Sequence, residues 1–268
     1  MEVVIDDRQM VERYLFDLHL PGIRGNYEEL IRLATKESLS YESFLLSLLE
    51  RESEERYNNR VCRLLRESKL PLEKKLENFV LKRLPTKVCQ QLKALVKGDF
   101  LDRKENVLVF GNPGSGKSHL LCALGQELVL KNKRVLFITC SRLVQELLLA
   151  KRDLKLPRRL KRLSKFEAII IDDIGYVQQS REEMEVLFTV ISERYERGSL
   201  LISSNLPFSK WESIFKSPMV TAAAIDRLVH HSVVIELNLE SYRMAQALKG
   251  KRCVSKAMMS KEVKDGQE

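Results

Sequence analysis

Eight consecutive residues in the middle of the chain form a loop of the kind that holds phosphate groups. The segment Gly111-Asn112-Pro113-Gly114-Ser115-Gly116-Lys117-Ser118 fits the pattern G-x-x-x-x-G-K-[ST]. Its glycines let backbone N–H groups turn toward an anion, its lysine can reach the β- and γ-phosphates of ATP, and its serine hydroxyl can bind Mg²⁺. An apolar run precedes the loop and a helical pattern follows it, as this motif requires. The sequence therefore predicts a site for ATP and Mg²⁺. His119, otherwise an ordinary helix residue, is included among the nucleotide-binding candidates.

Two adjacent acids, Asp172 and Asp173, end the apolar run AIIIDD. An acid at the end of a buried strand beside a phosphate loop can hold Mg²⁺ through its water shell, which is the role predicted for Asp172. Asp173 can then orient or deprotonate the water that attacks the γ-phosphate. The plainer alternative is that both acids cap the next helix. Together with Lys117, the pair predicts an ATPase that hydrolyses ATP to ADP and phosphate.

Polar residues near the last two apolar runs are further candidates for the site. Asn205 follows Ser203 and Ser204 at the end of the fourth apolar run, in the stretch SLLISSN. Its amide can hydrogen-bond to the γ-phosphate or to water, although asparagine before Leu-Pro is also a common turn residue. Arg227 precedes the fifth apolar run and Arg243 follows it. Either arginine can neutralise charge in the transition state, one of them acting from a neighbouring subunit and the other within its own chain. The plainer alternative is that each is an ordinary surface residue. Phe79 is a candidate to pack against adenine, a core aromatic being the plainer alternative.

Five short apolar runs rich in β-branched residues are expected to position these side chains. They are residues 106–111, 134–139, 167–172, 199–204 and 232–237. Runs that are apolar on both faces and alternate with helical patterns predict buried parallel strands. The expected fold class is therefore α/β, a P-loop three-layer α/β/α sandwich with a five-stranded parallel sheet.

The pattern along the chain predicts four segments. Residues 1–66 are expected to form a small all-helical N-terminal domain, with one helix opening at Asn26, where Glu29 follows at capping-box spacing. Residues 67–85 are expected to be a linker, 86–248 the ATPase domain, and 249–268 a poorly ordered Lys-rich tail. Only 31 residues follow the last apolar run, so a helical lid domain is expected to be largely absent.

The composition excludes several classes of protein. With 44% hydrophobic residues among 268, the chain can bury a core, which argues against wholesale disorder. No apolar run approaches the roughly 18 residues that a membrane helix needs, and the acidic, polar N-terminus is unlike a secretory signal. We therefore expect a cytoplasmic protein that does not contact a membrane. The five cysteines contain no C-x-x-C pair and the four histidines show no metal-ligand spacing, so neither a zinc site nor a disulfide framework is predicted.

Much of the net charge of +9 is concentrated in one stretch, residues 151–165, which holds eight Lys or Arg against one acid. Leucines at 156, 160 and 163 form a narrow apolar stripe that would dock on the domain and turn the basic residues outward. The predicted contacts to DNA phosphates are Lys151, Lys155, Arg158, Arg159, Lys161 and Arg162. A solvated basic helix face is the alternative. The stretch contains no aromatic residue for stacking on single-stranded bases, which favours the duplex backbone.

Taken together, these residues resemble the AAA+ ATPases of the helicase-loader branch, and most of all the IstB family, the ATPase helpers of two-gene bacterial insertion sequences. The resemblance covers residues 17–245. It is carried by LHLPGIRGNYEELIRLATKESLSYESFLLSLLERE, GDFLDRKENVLVFGNPGSGKSHLLCALG, AIIIDDIGY, LLISSNLPFSKW and AIDRLVHHSVVIELNLESYR. The phosphate loop and the acid pair are common to many ATPases, whereas the N-terminal segment and SSNLPFSKW are much more specific.

The resemblance implies roles that the residues alone leave open. Asn205 would be the sensor-1 residue, Arg227 the finger that reaches a neighbour's γ-phosphate, and Arg243 the sensor-2 arginine. ATP would be hydrolysed at subunit interfaces of a homo-oligomer, a ring or spiral on duplex DNA, that delivers target DNA to a partner transposase or stimulates it. One departure from the wider AAA+ pattern is Asp173, where most members have Glu. Its shorter reach fits slow turnover, although the IstB family commonly shows Asp.

Three other functions are weighed against this one. A loader of a replicative helicase would act on single-stranded DNA, and the N-terminal resemblance disfavours it. A small-molecule P-loop kinase would need neither DNA nor an oligomer, and the basic stretch and the paired acids speak against it. A nucleotide-gated DNA scaffold with negligible hydrolysis is disfavoured by the presence of Lys117 and Asp173.

Overall fold

The computed structural model describes residues 6–79, 84–175, 180–239 and 241. The chain forms two units, divided between Arg63 and Leu64. The domain boundaries proposed from the sequence, at residues 66, 85 and 248, stay predictions. Arg243 and the tail 249–268 lie outside the described residues, as does the segment on which the expected absence of a lid depends.

Three helices make up the first unit: α1 (Asp7–Asp17), α2 (Pro21–Glu37) and α3 (Tyr41–Ser68), of which residues 64–68 belong to the second unit. The expected helix start at Asn26 is wrong, because α2 begins at Pro21, a residue suited to a first helical turn. Asn26 lies inside the helix and donates a hydrogen bond to the Gly22 carbonyl. The buried carboxylate of Glu52 caps α2 instead, accepting hydrogen bonds from the N–H groups of Gly22 and Ile23.

The second unit is built on five parallel strands: β1 (Asn106–Gly111), β2 (Val135–Thr139), β3 (Ala168–Ile174), β4 (Ser199–Ser204) and β5 (Ser232–Leu237). Their order across the sheet is β2-β3-β4-β1-β5. Each strand corresponds to one of the apolar runs, so the predicted five-stranded parallel sheet is confirmed. Because β4 lies between β3 and β1, the ends of these three strands are neighbours at one edge of the sheet.

Helices cover both faces of this sheet. They are α4 (Thr86–Lys97), α5 (Asp99–Asp102), α6 (Lys117–Leu130), α7 (Cys140–Arg152), α8 (Leu156–Leu163), α9 (Arg181–Arg194), a 3₁₀ turn (Phe208–Lys210), α10 (Glu212–Phe215) and α11 (Pro218–Val229). Successive residues of one strand enter different cores: Leu108 packs with α7, α9 and α11, whereas Val107 and Val109 pack with α4 and α6. The result is a three-layer α/β/α sandwich, as predicted.

The described part of segment 67–85, which the sequence predicts to be a linker, is packed into the core of the second unit. Leu70 and Leu84 are buried in the core that contains α4 and α6. The amide of Gln126 in α6 donates to the carbonyls of Pro71, at 2.9 Å, and Lys74, at 3.2 Å. Residues 70–79 are thereby held close to the helix that begins at the phosphate loop. Among the described residues, no helix is long and apolar enough to cross a membrane.

Candidate functional site

The loop between β1 and α6 has the backbone of a phosphate cradle. Gly114 and Gly116 adopt φ values of +80° and +99°, in the left-handed region that favours glycine. A Cβ on Gly114 would collide with the Ser241 side chain, and one on Gly116 would lie 3.2 Å from a ring carbon of Phe79. Helix α6 starts directly after the loop without a side-chain cap, so its first N–H groups point toward an incoming anion.

Lys117 and Ser115 complete the cradle with buried polar groups. Lys117 is only 5% exposed, and its ammonium group donates hydrogen bonds to the carbonyls of Gly111, at 2.9 Å, and Asn112, at 3.0 Å. The Ser115 hydroxyl is buried and has no hydrogen-bond partner among the described residues. Ser118 lies in the first turn of α6. A buried cation, an orphaned hydroxyl and uncapped helix N–H groups fit the phosphates of ATP, with Ser118 as a candidate Mg²⁺ ligand.

The two acids lie at the end of β3, within a β-bulge. Ile171 pairs with Ile202 of β4, but Ile174 pairs with Ser204, so β3 contains one extra residue there. Asp173 has a φ of +59°, a conformation that few non-glycine residues adopt, and its side chain is exposed. Asp172 is 6% exposed. The bulge therefore lets one carboxylate face the interior and the next face solvent at the same edge of the sheet.

Ser203 connects the two acids through one hydroxyl group. The Ser203 hydroxyl donates to Asp172 Oδ1 at 2.5 Å and accepts from the Asp173 N–H at 2.8 Å. Ser203 is fully buried on β4, the strand beside β3. Ser203 is a site residue that the sequence patterns did not reveal. The available signal was a serine at the end of the run neighbouring the acid pair.

Asn205 follows β4 directly and reaches the same sheet edge. Its Oδ1 atom is buried and lacks a hydrogen-bond partner among the described residues. Because β4 lies between β1 and β3, Asn205 stands between the phosphate loop and the acids. A buried amide oxygen without a partner is unusual in a folded protein and suits a group that awaits a ligand or water.

His119 and Phe79 contact each other next to the loop. Their ring centroids lie 5.1 Å apart in an edge-on arrangement, and His119 Nε2 lies 3.0 Å from the Lys75 carbonyl. Phe79 is half-buried and packs against the core as well as against Gly116. The structure therefore places Phe79 as a core aromatic that also borders the loop, and places His119 against residues 75–79.

Arg227 lies far from the phosphate loop of its own chain. The carbonyl of Leu228, its neighbour in α11, accepts a hydrogen bond from Asn106, the first residue of β1, whereas the loop follows the last residue of that strand. The guanidinium group is folded onto its own subunit: it donates to the Ala223 carbonyl at 3.1 Å and lies 5.0 Å from the Phe188 ring centroid. The loop, the acid pair and Asn205 thus share one sheet edge, and Arg227 lies near the other.

The basic stretch forms the last two residues of α7, all of α8 and the turns beside it. Leu163 is buried, and Leu156 and Leu160 pack against the same core, as the leucine spacing predicts. The expectation that Arg159 projects outward is wrong: it is 18% exposed and forms an ion pair with Glu146.

Only part of the basic stretch is free of ion pairs. Lys151 pairs with Glu185 at 2.8 Å and Lys155 with Asp153 at 3.2 Å. Within the described part of the chain, three of the predicted DNA contacts are exposed and have no ion-pair partner. They are Arg158, Lys161 and Arg162.

Comparison with protein families and curated proteins gives a consistent result. The family model described as IstB-like ATP binding protein matches residues 14–250. An insertion sequence ATP-binding protein of Sinorhizobium fredii, y4iQ/y4nD/y4sD, is 42% identical over 239 residues, covering 89% of this chain and 80% of that protein. The insertion sequence IS21 ATP-binding protein of Pseudomonas aeruginosa is 36% identical over 242 residues, covering 89% and 90%.

Solved structures with a similar fold are more distant in sequence. The crystal structure of DnaI has a TM-score of 0.54 at 18% identity, covering 64% of this chain and 96% of that one. The DnaC helicase loader has a TM-score of 0.51 at 16% identity, and the match covers 57% of this chain and 89% of that one. The replication initiator DnaA bound to AMPPCP and single-stranded DNA has a TM-score of 0.54 at 17% identity, and the match covers 65% of this chain and 52% of that one. At these identities the likeness shows the AAA+ fold alone.

Proposed function

Since the chain belongs to the family of IstB-like ATP binding proteins, we propose that it is an ATPase that assembles on DNA and assists the transposase of an insertion sequence. The observation that carries the proposal is the shared sheet edge, where the phosphate cradle with buried Lys117 meets Asp172, Asp173 and Asn205. Binding of ATP by this family accounts for the cradle. The acid pair beside it supports hydrolysis, since binding alone requires no exposed carboxylate next to the phosphates.

In the proposed reaction each residue has a role that follows from its position in the site. Lys117 neutralises charge on the β- and γ-phosphates, and Ser118 and Asp172 would hold Mg²⁺, which supplies further charge neutralisation when bound. The exposed carboxylate of Asp173 accepts the proton of the attacking water or orients it. Asn205 fixes the water or the γ-phosphate through its amide, whose buried oxygen has no other partner in the described structure.

The proposed role of Arg227 requires a second subunit. A residue near the far edge of the sheet cannot reach the nucleotide of its own chain, because a six-residue strand separates the two edges by about 17–20 Å. On a neighbouring subunit the same residue can face the phosphates. Its contacts with the Ala223 carbonyl and the Phe188 ring are weak enough to exchange for a γ-phosphate. The sensor-2 role of Arg243 stays a prediction.

The proposed DNA surface is centred on α8. Arg158, Lys161 and Arg162 are exposed and lack ion-pair partners in the described structure, so they can neutralise phosphates without breaking a contact. Lys151, Lys155 and Arg159 would first have to leave Glu185, Asp153 and Glu146. Duplex DNA is proposed as the ligand because backbone contacts need no aromatic platform. The relatives named as insertion sequence proteins support a transposase as the partner.

The test measures ATP hydrolysis and particle mass with and without DNA, at a stated salt concentration. ATP and duplex DNA together are expected to produce large assemblies and faster hydrolysis. Stimulation by single-stranded DNA alone would favour a helicase loader, and a monomer indifferent to DNA would favour a small-molecule kinase.

A single substitution tests the chemistry within the same assay. Asp173→Asn is expected to lower the rate by about 10²–10⁴-fold while ATP-bound assemblies persist, because the amide cannot accept the proton of the water. Glu212→Gln, an exposed acid at the start of α10, is the matched control and should hydrolyse ATP normally. Wild-type hydrolysis by Asp173→Asn would refute the role assigned to Asp173.

A further inference from the structure

Two connections meet near the sheet edge that lies opposite the phosphate loop. One follows α9 and contains Tyr195 and Glu196, and the other follows α11 and contains His230 and His231. One ligand atom each from Glu196, His230 and His231 lie within 4.8 Å of one another, and all three residues are exposed. In the described part of the chain no other group of three such side chains comes together in this way. Spacing along the sequence cannot reveal this cluster, because His230 lies 34 positions after Glu196.

We propose that Glu196, His230 and His231 form a binding site for a divalent transition-metal ion, with Zn²⁺ as the best-matched ion. Two imidazole nitrogens and one carboxylate oxygen are a known ligand set for Zn²⁺, with a fourth position left to water. Imidazole also suits Cu²⁺ and Ni²⁺, whereas Mg²⁺ prefers oxygen ligands. The site would therefore be chemically distinct from the Mg²⁺ site expected beside the nucleotide, and it does not depend on the proposed ATPase function.

A neighbouring tyrosine supports the orientation of one ligand. The Tyr195 hydroxyl lies 2.9 Å from Nδ1 of His230, and the two rings are 6.1 Å apart. Metal-binding histidines commonly make a hydrogen bond through the ring nitrogen that does not bind the metal, which fixes the tautomer and the ring plane. In the tautomer in which His230 Nδ1–H donates to the Tyr195 hydroxyl oxygen, the lone pair of His230 Nε2 is left for the ion.

The backbone that carries the three ligands is anchored to the sheet. The His231 carbonyl accepts from the N–H of Asn106 at 2.7 Å, and the His230 N–H donates to the Asp226 carbonyl at 3.0 Å. Glu196 has a φ of +56°, in the turn closed by the hydrogen bond from Gly198 N–H to the Arg194 carbonyl. In a tetrahedral zinc site the ligand atoms are about 3.3 Å apart, so these exposed side chains would need to close by no more than about 1.5 Å.

Two pairs of opposite charges lie near the proposed ligands. Glu105, whose pKa is lowered chiefly by the hydrogen bond from Arg103 and also by His231, is already paired with that arginine. Near Tyr195, Asp226 and Arg227 have opposite charges. A bound ion would link the connection after α9 to the connection before β5, and so brace the end of α11, the helix that contains Arg227.

The test titrates the full chain, without an affinity tag or nucleotide, with Zn²⁺ by calorimetry and with Co²⁺ by visible absorption. Because the exposed thiol of Cys62 can also bind Zn²⁺, the titrations use a Cys62→Ser background. We expect one ion per chain and a raised unfolding temperature with Zn²⁺. Glu196→Gln, His230→Ala and His231→Ala should each lower the affinity at least tenfold, and excess Mg²⁺ should not compete.

His19→Ala, which removes an exposed histidine in the first unit, is the matched control and should leave binding unchanged. Glu196→Gln alters only an exposed side chain, so its fold can be verified by an unchanged unfolding temperature without metal. Failure of the parent to bind Zn²⁺, or equal binding by parent, Glu196→Gln and His231→Ala, would overturn the proposal. Neither result would bear on hydrolysis of ATP.

Discussion

Ser203 is joined to both acids of the proposed nucleotide site through one hydroxyl group, and this arrangement predicts a measurable effect on hydrolysis. Ser203→Ala removes the donor to Asp172 Oδ1 and the acceptor for the Asp173 N–H, leaving both groups without these bonds. Loss of such a supporting partner is expected to lower kcat by about 10–100-fold with a smaller change in KM for ATP. Steady-state kinetics over a range of Mg²⁺ concentrations measures both.

Ser204 offers a matched control for that substitution. It is equally buried in the same strand, but its hydroxyl bonds to the Ile174 carbonyl and to the backbone of Leu206, not to an acid. Ser204→Ala should therefore lower stability without a comparable fall in kcat, and Ser203→Thr should recover part of the rate. Equal loss of kcat in both alanine variants would show that Ser203 acts only through packing.

The contribution of Ser203 illustrates which features of the site can be predicted from sequence. The phosphate loop and the acid pair are local patterns, so their positions follow from residues that are adjacent in the chain. The hydroxyl bridge is not local, since it depends on the bulge that offsets β3 from β4 between Ile171 and Ile174. Arg159 shows the same limit: its charge suggested an outward orientation, but Glu146 holds it through an ion pair that sequence spacing does not reveal.

At the scale of single helices, the capping of α2 predicts a pH-dependent stability. Burial alone would raise the pKa of Glu52, but hydrogen bonds from Arg56 and from the N–H groups of Ile23 and Gly22 outweigh it and hold the pKa below its ordinary value. A lowered carboxyl pKa contributes stability above the unfolded pKa, and this is lost as the pH falls through the folded pKa. Glu52→Gln should therefore destabilise α2 by roughly 1–2 kcal/mol at neutral pH.

Thermal unfolding of the full chain between pH 7 and pH 3 checks this prediction. The difference between wild type and Glu52→Gln should be present at pH 7 and shrink in acid. Glu50→Gln, an exposed acid on the same helix, is the control. A difference that does not change with pH would contradict a role for the ionised carboxylate. The sequence favoured a local cap at Asn26. The true cap, Glu52, could not be predicted because it lies 30 positions from the Gly22 N–H that it binds.

Helix α8 predicts a graded response to DNA. If α8 contacts DNA as proposed, alanine at Arg158, Lys161 or Arg162 should each weaken duplex binding and make the slope of log affinity against log salt less steep by about 1, because each would remove one phosphate contact. Lys151→Ala, which removes a residue paired with Glu185, is the matched control and should change the slope less. Binding curves at several salt concentrations measure the slope. An equal effect of all four substitutions would contradict the distinction between paired and unpaired residues.

A buried arginine anchors the C-terminal end of α8 to the sheet. Arg194 is 4% exposed and donates to the carbonyls of Leu163, Phe166, Glu167 and Ser199, and burial lowers its pKa to about 10. Arg194→Met should destabilise the protein by roughly 3 kcal/mol or more because it leaves several buried acceptors unpaired. Denaturant unfolding measures the loss. Arg197→Met, an exposed arginine in the adjoining turn, should have little effect, and similar values for both would contradict the anchoring role.

At the scale of the whole molecule, the two halves of the proposed catalytic machinery lie near opposite edges of one sheet. A contact that brings Arg227 of one subunit to the phosphate loop of the next joins two different surfaces, so it is heterologous and can continue into a ring or a spiral. The candidate residues and an oligomer could therefore be predicted from the sequence, but not the number of subunits or the choice between ring and spiral. Strand order fixes which edge each residue occupies, but the number of subunits depends on the angle between neighbours.

The separation of these residues predicts complementation between two inactive variants. Asp173→Asn keeps the finger but loses the water-activating acid, whereas Arg227→Ala keeps the acid but loses the finger, which is expected to lower the rate on the order of 10³-fold. In a mixed assembly with random order, half of the subunits have an intact acid and half of those face a neighbour with an intact finger. An equal mixture should therefore recover about a quarter of the wild-type rate, provided that the contact is heterologous. If Arg227 instead served the nucleotide of its own chain, no interface in the mixture would contain both intact residues on the required chain, and the rate would stay near that of the separate variants. The mixture distinguishes the two arrangements once particle mass shows that both variants assemble and exchange subunits.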